Sequence, residues 1–221
     1  MEQIEELGRH ASPAGQPQPL AFLGSTLWIG CWDTTSLYAI DSQTWNVLEH
    51  VPAPGRPYGL AAVNGELRVV VSIGEDDDRF FYRFVPGEGF DAASKLACPN
   101  SNGSHLTYEG ETLYLVQATN KRILALGADL SVQREIALPA RIAGIGHREG
   151  AFFAISADDE FDNLSLATLD ISGSTAVFED IAVMPVESRA LAFDGTSWWT
   201  NLRESNAILS FNAPAVAAGL P

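Results

Sequence analysis

An all-β fold, a five-bladed β-propeller with four antiparallel strands per blade, is predicted by three observations. Apolar pairs seven residues apart recur five times: Leu20 with Leu27, Leu60 with Leu67, Leu106 with Leu113, Ile145 with Phe152, and Leu191 with Trp198. Two further apolar runs follow each of the first four pairs, so that each repeat holds four short strand-like segments. The fifth repeat stops after its third run, while an alternating run at the N-terminus stands unclaimed. Repeats of this length with four strands each are the signature of propeller blades.

The anchors Leu20, Leu60, Leu106, Ile145 and Leu191 are separated by 40, 46, 39 and 46 residues. Third runs are "SLYAID", "RFFYRFV", "KRILALG", "LSLATLD" and "NAILSFN". Turns such as "DSQTWN" and "GADLS" lead to fourth runs ending in proline, "VLEHVP", "KLACP", "EIALP" and "DIAVMP". The expected blades cover residues 18–55, 56–99, 100–141, 142–185 and 186–221, within a single domain over 1–221. Residues 2–8 are expected to supply the missing outer strand of the last blade and so remove its exposed edge. The alternative keeps five blades but uses "AVAAGL" as that strand and leaves the N-terminus loose. Beside the anchors stand small residues, Pro19, Gly59, Gly144 and Ala190, as crowding at a common axis requires; His105 is the exception.

Composition narrows the function. The chain has 221 residues, 46% hydrophobic and 19% charged, which is enough to bury a large core. Its formal charge of −15 repels phosphate backbones and anionic lipid, so neither nucleic acid nor membrane is an expected partner. The start "MEQIEELGRH" lacks the basic and apolar segments of a signal peptide, and a cytoplasmic protein is expected. Two cysteines, Cys31 and Cys98, on different repeats are read as reduced thiols.

Loops entering the first strands and loops joining second to third strands share one end of the ring, where function commonly resides. They bring Gln18, Tyr58, Ser104 with His105, and Arg189; then Cys31 to Asp33, Glu75 to Asp78, Gln117 to Lys121, Asp158 to Asp162, and Asn201 to Glu204. His105 is either a general base or ligand, or a space-filling group hydrogen-bonded internally. Tyr58 either contacts a ligand or caps the channel, and Trp32 carries the same two readings. Arg189 offers a fork for a carboxylate or phosphate, with Glu187 and Asp194 as structural competitors. Ser104, Gln18 and Asn201 complete the candidate binding set. A Cys31–His105 nucleophile and base pair needs the two to meet across blades. The alternating Asp158, Glu160 and Asp162 suit a calcium or magnesium ion, or a solvated loop, and the EF-hand glycine and glutamate are absent. "GIGHREG" sits in a strand-to-strand turn with no helix to present amides to phosphate, and His147 there is expected at the opposite end from His105. No HExxH, CxxC or GxSxG occurs. Trp28, Trp198 and Trp199, in second strands, are read as packing between blades.

The segments "RPYGLAAVNGELRVVV" and "SRALAFDGTSWWTN" resemble blades of the broad propeller superfamily of the SMP-30 gluconolactonases, NHL repeats and streptogramin lyases. The resemblance spans nearly the whole chain and rests on a "GLA…G…L(W/Y)V" pattern shared by many activities. It implies, in the enzymes, a divalent cation at the ring mouth held from first strands; the matching positions here hold Gln18, Tyr58, Ala143 and Arg189, with His105 alone of the expected type. In size and blade count the chain is also similar to five-bladed glutaminyl cyclases, whose glutamate-bearing first-blade segment is not evident in "LWIGCWDTTSLYAID".

Two functions are therefore expected. One is an enzyme of lyase or hydrolase type acting on a small polar molecule, with His105 and Tyr58 catalytic, Trp32 a wall and Arg189 an anion anchor. The other is a non-catalytic scaffold whose acidic mouth loops bind a protein, peptide or cationic ligand.

Overall fold

The alternating runs form strands throughout the computed structural model, which describes residues 1–214. The first blade is β2 (Pro17–Leu23), β3 (Thr26–Cys31), β4 (Ser36–Asp41) and β5 (Val47–Pro52); the second is β6 (Arg56–Val63), β7 (Glu66–Ile73), β8 (Asp78–Val85) and β9 (Gly89–Ala97). The third holds β10 (His105–Glu109), β11 (Thr112–Gln117), β12 (Arg122–Leu126) and β13 (Val132–Ala137). The fourth holds β14 (Arg141–Arg148), β15 (Ala151–Ala157), β16 (Leu164–Asp170) and β17 (Val177–Met184). In the fifth, β18 (Ala192–Phe193), β19 (Trp198–Leu202) and β20 (Ala207–Asn212) are completed by β1 (Glu5–Ala11). The five-bladed ring is thus as the sequence predicts.

Closure by the N-terminus is also found, displaced by three residues. β1 runs antiparallel to β20, with Ala11 opposite Ala207 and Glu5 opposite Asn212. The residues before it do more than close the blade. Gln3 bridges to Val183 of β17, the Val183 amide donates to the Glu2 carbonyl (2.8 Å) and the Ile4 amide to the Val183 carbonyl (3.3 Å), so the chain start clasps the fourth blade as well as the fifth. Since β1 occupies the outer edge of β20, the loose-tail alternative fails; "AVAAGL" itself lies outside the described residues.

Between the blades lie five apolar clusters, one for each interface. Trp28 packs edge-on to Phe84 (4.9 Å between centroids) between the first two blades, and Trp198 against Phe153 (4.9 Å) between the last two, both tryptophans fully buried. Outer strands are mostly exposed, as expected for an edge facing water. No helix among the described residues is long and apolar enough to cross a membrane.

Near the axis, backbone meets backbone. A Cβ on Gly59 would stand 3.3 Å from the His105 carbonyl carbon, and one on Gly144 would stand 2.7 Å from the Ala190 carbonyl carbon. The second distance is inside any real contact and involves atoms that cannot swing aside. Gly144→Ala is expected to lower stability by about 1–3 kcal/mol through overpacking. Gly173→Ala, whose new methyl would meet only ordinary contact at 3.5 Å, should change it by less than ~0.5 kcal/mol. Urea unfolding of the two variants measures the difference.

Candidate functional site at the axial mouth

Three of the first strands change register at the same place. The register shifts between Pro17 and Leu20, between Pro57 and Gly59, and between Ile142 and Gly144, which leaves Gln18 with Pro19, Tyr58 and Ala143 as the extra residues. A bulge re-aims a side chain out of the pleat, and here it does so at the upper rim of the ring. Ser104 and Arg189 hold the corresponding positions in the third and fifth blades.

Around Tyr58 a column of planar groups forms. The Arg203 guanidinium lies 3.9 Å from the Trp32 ring centre, Trp32 and Tyr58 rings are 4.5 Å apart at 48°, and the Arg79 guanidinium lies 3.3 Å from the Tyr58 ring. Cations over aromatic faces are favourable, more so when half-buried. Trp32 is fixed by its indole N–H, which donates to the Pro57 carbonyl (2.6 Å). Arg79 is fixed by donation to the Gly103 carbonyl (2.9 Å) and by an ion pair with Asp77, whose carboxylate also accepts from Ser72. Arg189 donates to the carbonyls of Val186 (2.7 Å) and Ser188 (2.8 Å). Among the described residues, neither Arg189 nor Arg203 has a carboxylate partner within ion-pair distance.

His105 lies beneath these cations, buried, with no hydrogen-bond partner for its ring among the described residues. Burial, reinforced by the charges of Arg189, Arg79 and Arg203, depresses its pKa to about 3, so the imidazole is neutral at physiological pH. Burial also raises the Tyr58 phenol, which stays protonated, and holds both Arg189 and Arg203 below the ordinary guanidinium value, Arg203 further through repulsion by Arg189. The mouth is a concentration of positive charge in a chain of formal charge −15.

Space is unevenly distributed. At the level of Pro19, Gly59, His105 and Ala190 the axis narrows to about 10 Å³, too little for more than a single water. Tyr58 also lines a cleft of about 520 Å³ between the first and second blades, together with Arg56, Ser72 and Asp77. That volume is in the range of small-molecule sites.

Most of the other expected residues are engaged by groups within the protein. Asn201 is fully buried, accepting from the Arg189 amide (3.0 Å) and donating to the Pro17 carbonyl, which ties the last blade to the first. The Ser104 hydroxyl donates to the Val116 carbonyl and accepts from the Ala118 amide. Gln18 is buried with its side-chain carbonyl oxygen lacking a partner. Asp158 caps its own loop, accepting from the Asp162 amide (2.9 Å) and the Asn163 side chain (2.6 Å). No three His, Cys, Asp or Glu side chains of the described residues gather at metal-binding spacing, so Asp158, Glu160 and Asp162 do not fit a calcium or magnesium ion. Three arginines at the axis would repel one there. The Cys31 thiol is pushed up to about 11 by burial and Cys98 to about 12, which removes Cys31 as a nucleophile partner for His105.

Arg79 lies just past the loop range expected from the sequence, and Arg203 falls within the range Asn201 to Glu204 without being singled out. Their signal is positional: a basic residue stands in or beside the second-to-third loop in three blades, Arg79 at the start of β8, Lys121 at the end of its loop and Arg203 at the start of its own.

No protein-family model and no curated protein matches this sequence. Solved structures do. Glutaminyl cyclase from Myxococcus xanthus superposes with a TM-score of 0.71 at 12% identity, covering 98% of this chain and 100% of that one. The PQQ-bound aldose sugar dehydrogenase of Streptomyces coelicolor follows at 0.58, with 14% identity over 91% of this chain and 79% of that one. A catalytically inactive virginiamycin B lyase variant from Staphylococcus aureus, solved with quinupristin, gives 0.56 and 16% over 89% and 67%. At such identities the likeness is one of fold: this chain shares the propeller architecture of these proteins.

Proposed function

We propose that the protein is a propeller enzyme of lyase or hydrolase type whose substrate is a small molecule bearing a carboxylate or similar anionic group, bound at the axial mouth. The observation that carries this reading is the gathering of Arg79, Arg189 and Arg203 around a buried neutral imidazole, with Arg189 and Arg203 forming no ion pair among the described residues. Half-buried cations without an ion pair are poorly solvated, and an anion that pairs with them recovers part of that cost. A guanidinium suits this task because its fork matches a carboxylate.

Chemistry follows from the same field. With the mouth empty, His105 is too weak a base to take a proton near neutral pH. Burial is the larger cause of that weakness and the arginine charges the smaller; an anion between Arg189 and Arg203 offsets the smaller one and raises the imidazole's basicity to that extent. His105 then removes a proton from substrate carbon or from water, and the protonated Tyr58 phenol donates to the departing group, a pair of roles worth typically 10²–10⁴ in rate. The 12–16% likeness to cyclase, lyase and dehydrogenase structures is compatible with an enzyme and selects none of their reactions.

The narrow axis favours a second reading, a non-catalytic platform that holds an acidic ligand at the same mouth. A cationic ligand on the acidic loops fits less well, because Asp77 is already committed to Arg79 and Ser72. Turnover lost in His105→Gln with ligand binding retained distinguishes the enzyme from the platform.

Two outcomes are expected. In calorimetric titrations with glutarate and with inorganic phosphate, Arg203→Gln should weaken binding about ten- to hundred-fold, the worth of one charge-assisted pair; equal affinity in the variant would overturn the assignment. The second concerns His105 itself. Unfolded, it takes up a proton near pH 6.5; folded, only near 3. The folded state therefore loses stability as pH falls between these values, by about 2 kcal/mol at pH 5 relative to pH 7. Urea unfolding at the two pH values should show this loss in the native protein and not in His105→Gln.

A further inference from the structure

The axis has a second mouth. Below the constriction it widens into a cavity of about 210 Å³, walled by Phe22 and Phe193 and by the polar side chains of Thr107, His147 and Arg148. Thr107 and Glu109 project from the same face of β10, two residues apart. His147 reaches them from β14 of the next blade: its Nδ1 is 3.1 Å from the Thr107 Oγ1 and its Nε2 2.9 Å from a Glu109 carboxylate oxygen. A carboxylate only accepts, so Nε2 carries the proton that Glu109 receives, and Nδ1 is left to accept the Thr107 hydroxyl. The result is a hydroxyl, a base aligned on it and a carboxylate orienting the base, the arrangement that activates an alcohol for nucleophilic attack.

We propose that this lower mouth is an acyl-transfer site for short-chain esters, with Thr107 as nucleophile, His147 as base and Glu109 as the residue that positions the imidazole. Attack of Oγ1 on the ester carbonyl forms a carbon–oxygen bond as the hydroxyl proton passes to Nδ1. Collapse breaks the bond to the leaving alkoxide, which takes that proton from Nδ1 and departs as an alcohol. Water then repeats the sequence on acyl-Thr107, releasing the carboxylic acid and restoring the hydroxyl. Room for about seven waters limits the substrate to a short acyl group on a small alcohol. Phe22 and Phe193 offer that group an apolar wall, and Arg148, its guanidinium 5.9 Å from the Phe193 ring and without an ion pair among the described residues, adds positive charge beside it. A hydrogen bond serving only to join two blades would not need its hydroxyl on the wall of a cavity.

The test is hydrolysis of 4-nitrophenyl acetate by the full chain, read by 4-nitrophenolate release and by peptide mass mapping. An acetyl group on Thr107 is expected. Thr107→Val, which keeps the shape and loses the hydroxyl, and His147→Asn should each lower the protein-dependent rate about 100-fold or more, the usual worth of such groups. Thr107→Ser should stay within about tenfold of the native rate and Glu109→Gln should lose about tenfold, with a shifted pH profile. Thermal melting of each variant separates loss of chemistry from loss of fold. Hydrolysis no faster than buffer, acetylation confined to lysine or other residues, or a Thr107→Val rate within about twofold of native would overturn the proposal. Since none of these readouts involves the arginines, the outcome leaves the reading of the upper mouth untouched.

Discussion

Five sheets can meet at one axis only if their innermost strands carry almost nothing there. The contacts at Gly59 and Gly144 are backbone against backbone, and at Gly144 even a methyl group would overlap the neighbouring blade. Everything else in the structure follows from that crowding. It forces large side chains outward into the interfaces, where Trp28, Phe84, Phe153 and Trp198 fill the widening wedges. It also narrows the channel at its waist to about 10 Å³, between two wider mouths. The clasp by the chain start serves the same constraint, since a ring whose blades press on a common axis must be held shut at its rim. The N-terminus does this by stitching to both the fifth and the fourth blades.

Polar groups reach such an axis only where the strand departs from its regular pleat or where a neighbour leaves space. The bulges at Gln18, Tyr58 and Ala143 are the first device, and His105, opposite Gly59, is the second. Once inside, these groups are poorly solvated, and charges at the rim act on them at full strength. That is why His105 is so weakly basic although no lysine or arginine touches it through a hydrogen bond. The acidic surface and the basic mouth are consistent with one another: the carboxylates lie elsewhere, and the local field at the mouth is set by the arginines gathered there.

The ring was legible in the sequence because apolar spacing and blade length are one-dimensional consequences of the fold, and the unclaimed N-terminal run marked its closure. The boundary shifted from residues 2–8 to Glu5–Ala11 because strand register depends on the partner β20, which the run itself does not encode. At the mouth, counting from the anchors places Tyr58, Trp32, His105 and Arg189 at one end of the ring. Arg79 and Arg203 do not stand out in the same way, because their roles lie in stacking on rings distant in sequence, Tyr58 and Trp32. Asn201 and Ser104 bond to backbone groups, which the sequence does not reveal, because a polar side chain near a rim looks the same whether it faces a ligand or satisfies a backbone group. The acidic stretch around Asp158 folds back on its own amides, a local competition that alternation alone does not reveal.

β10 explains how one ring presents two chemically different ends. Residues two apart on a strand share a face, so His105, Thr107 and Glu109 line up along the inner side of the same blade. The first sits at the waist under the arginines, and the other two sit below it against His147. A step of two residues thus crosses from a cationic, desolvated environment to one in which an imidazole is held by a carboxylate. At the positions matching His105 and Thr107 the second and fourth blades place small residues, Gly59, Ala61, Gly144 and Gly146. Their lack of bulk is what leaves room for the polar face of β10, so the asymmetry of a nearly symmetric ring, concentrated in a single strand, is where its chemistry resides.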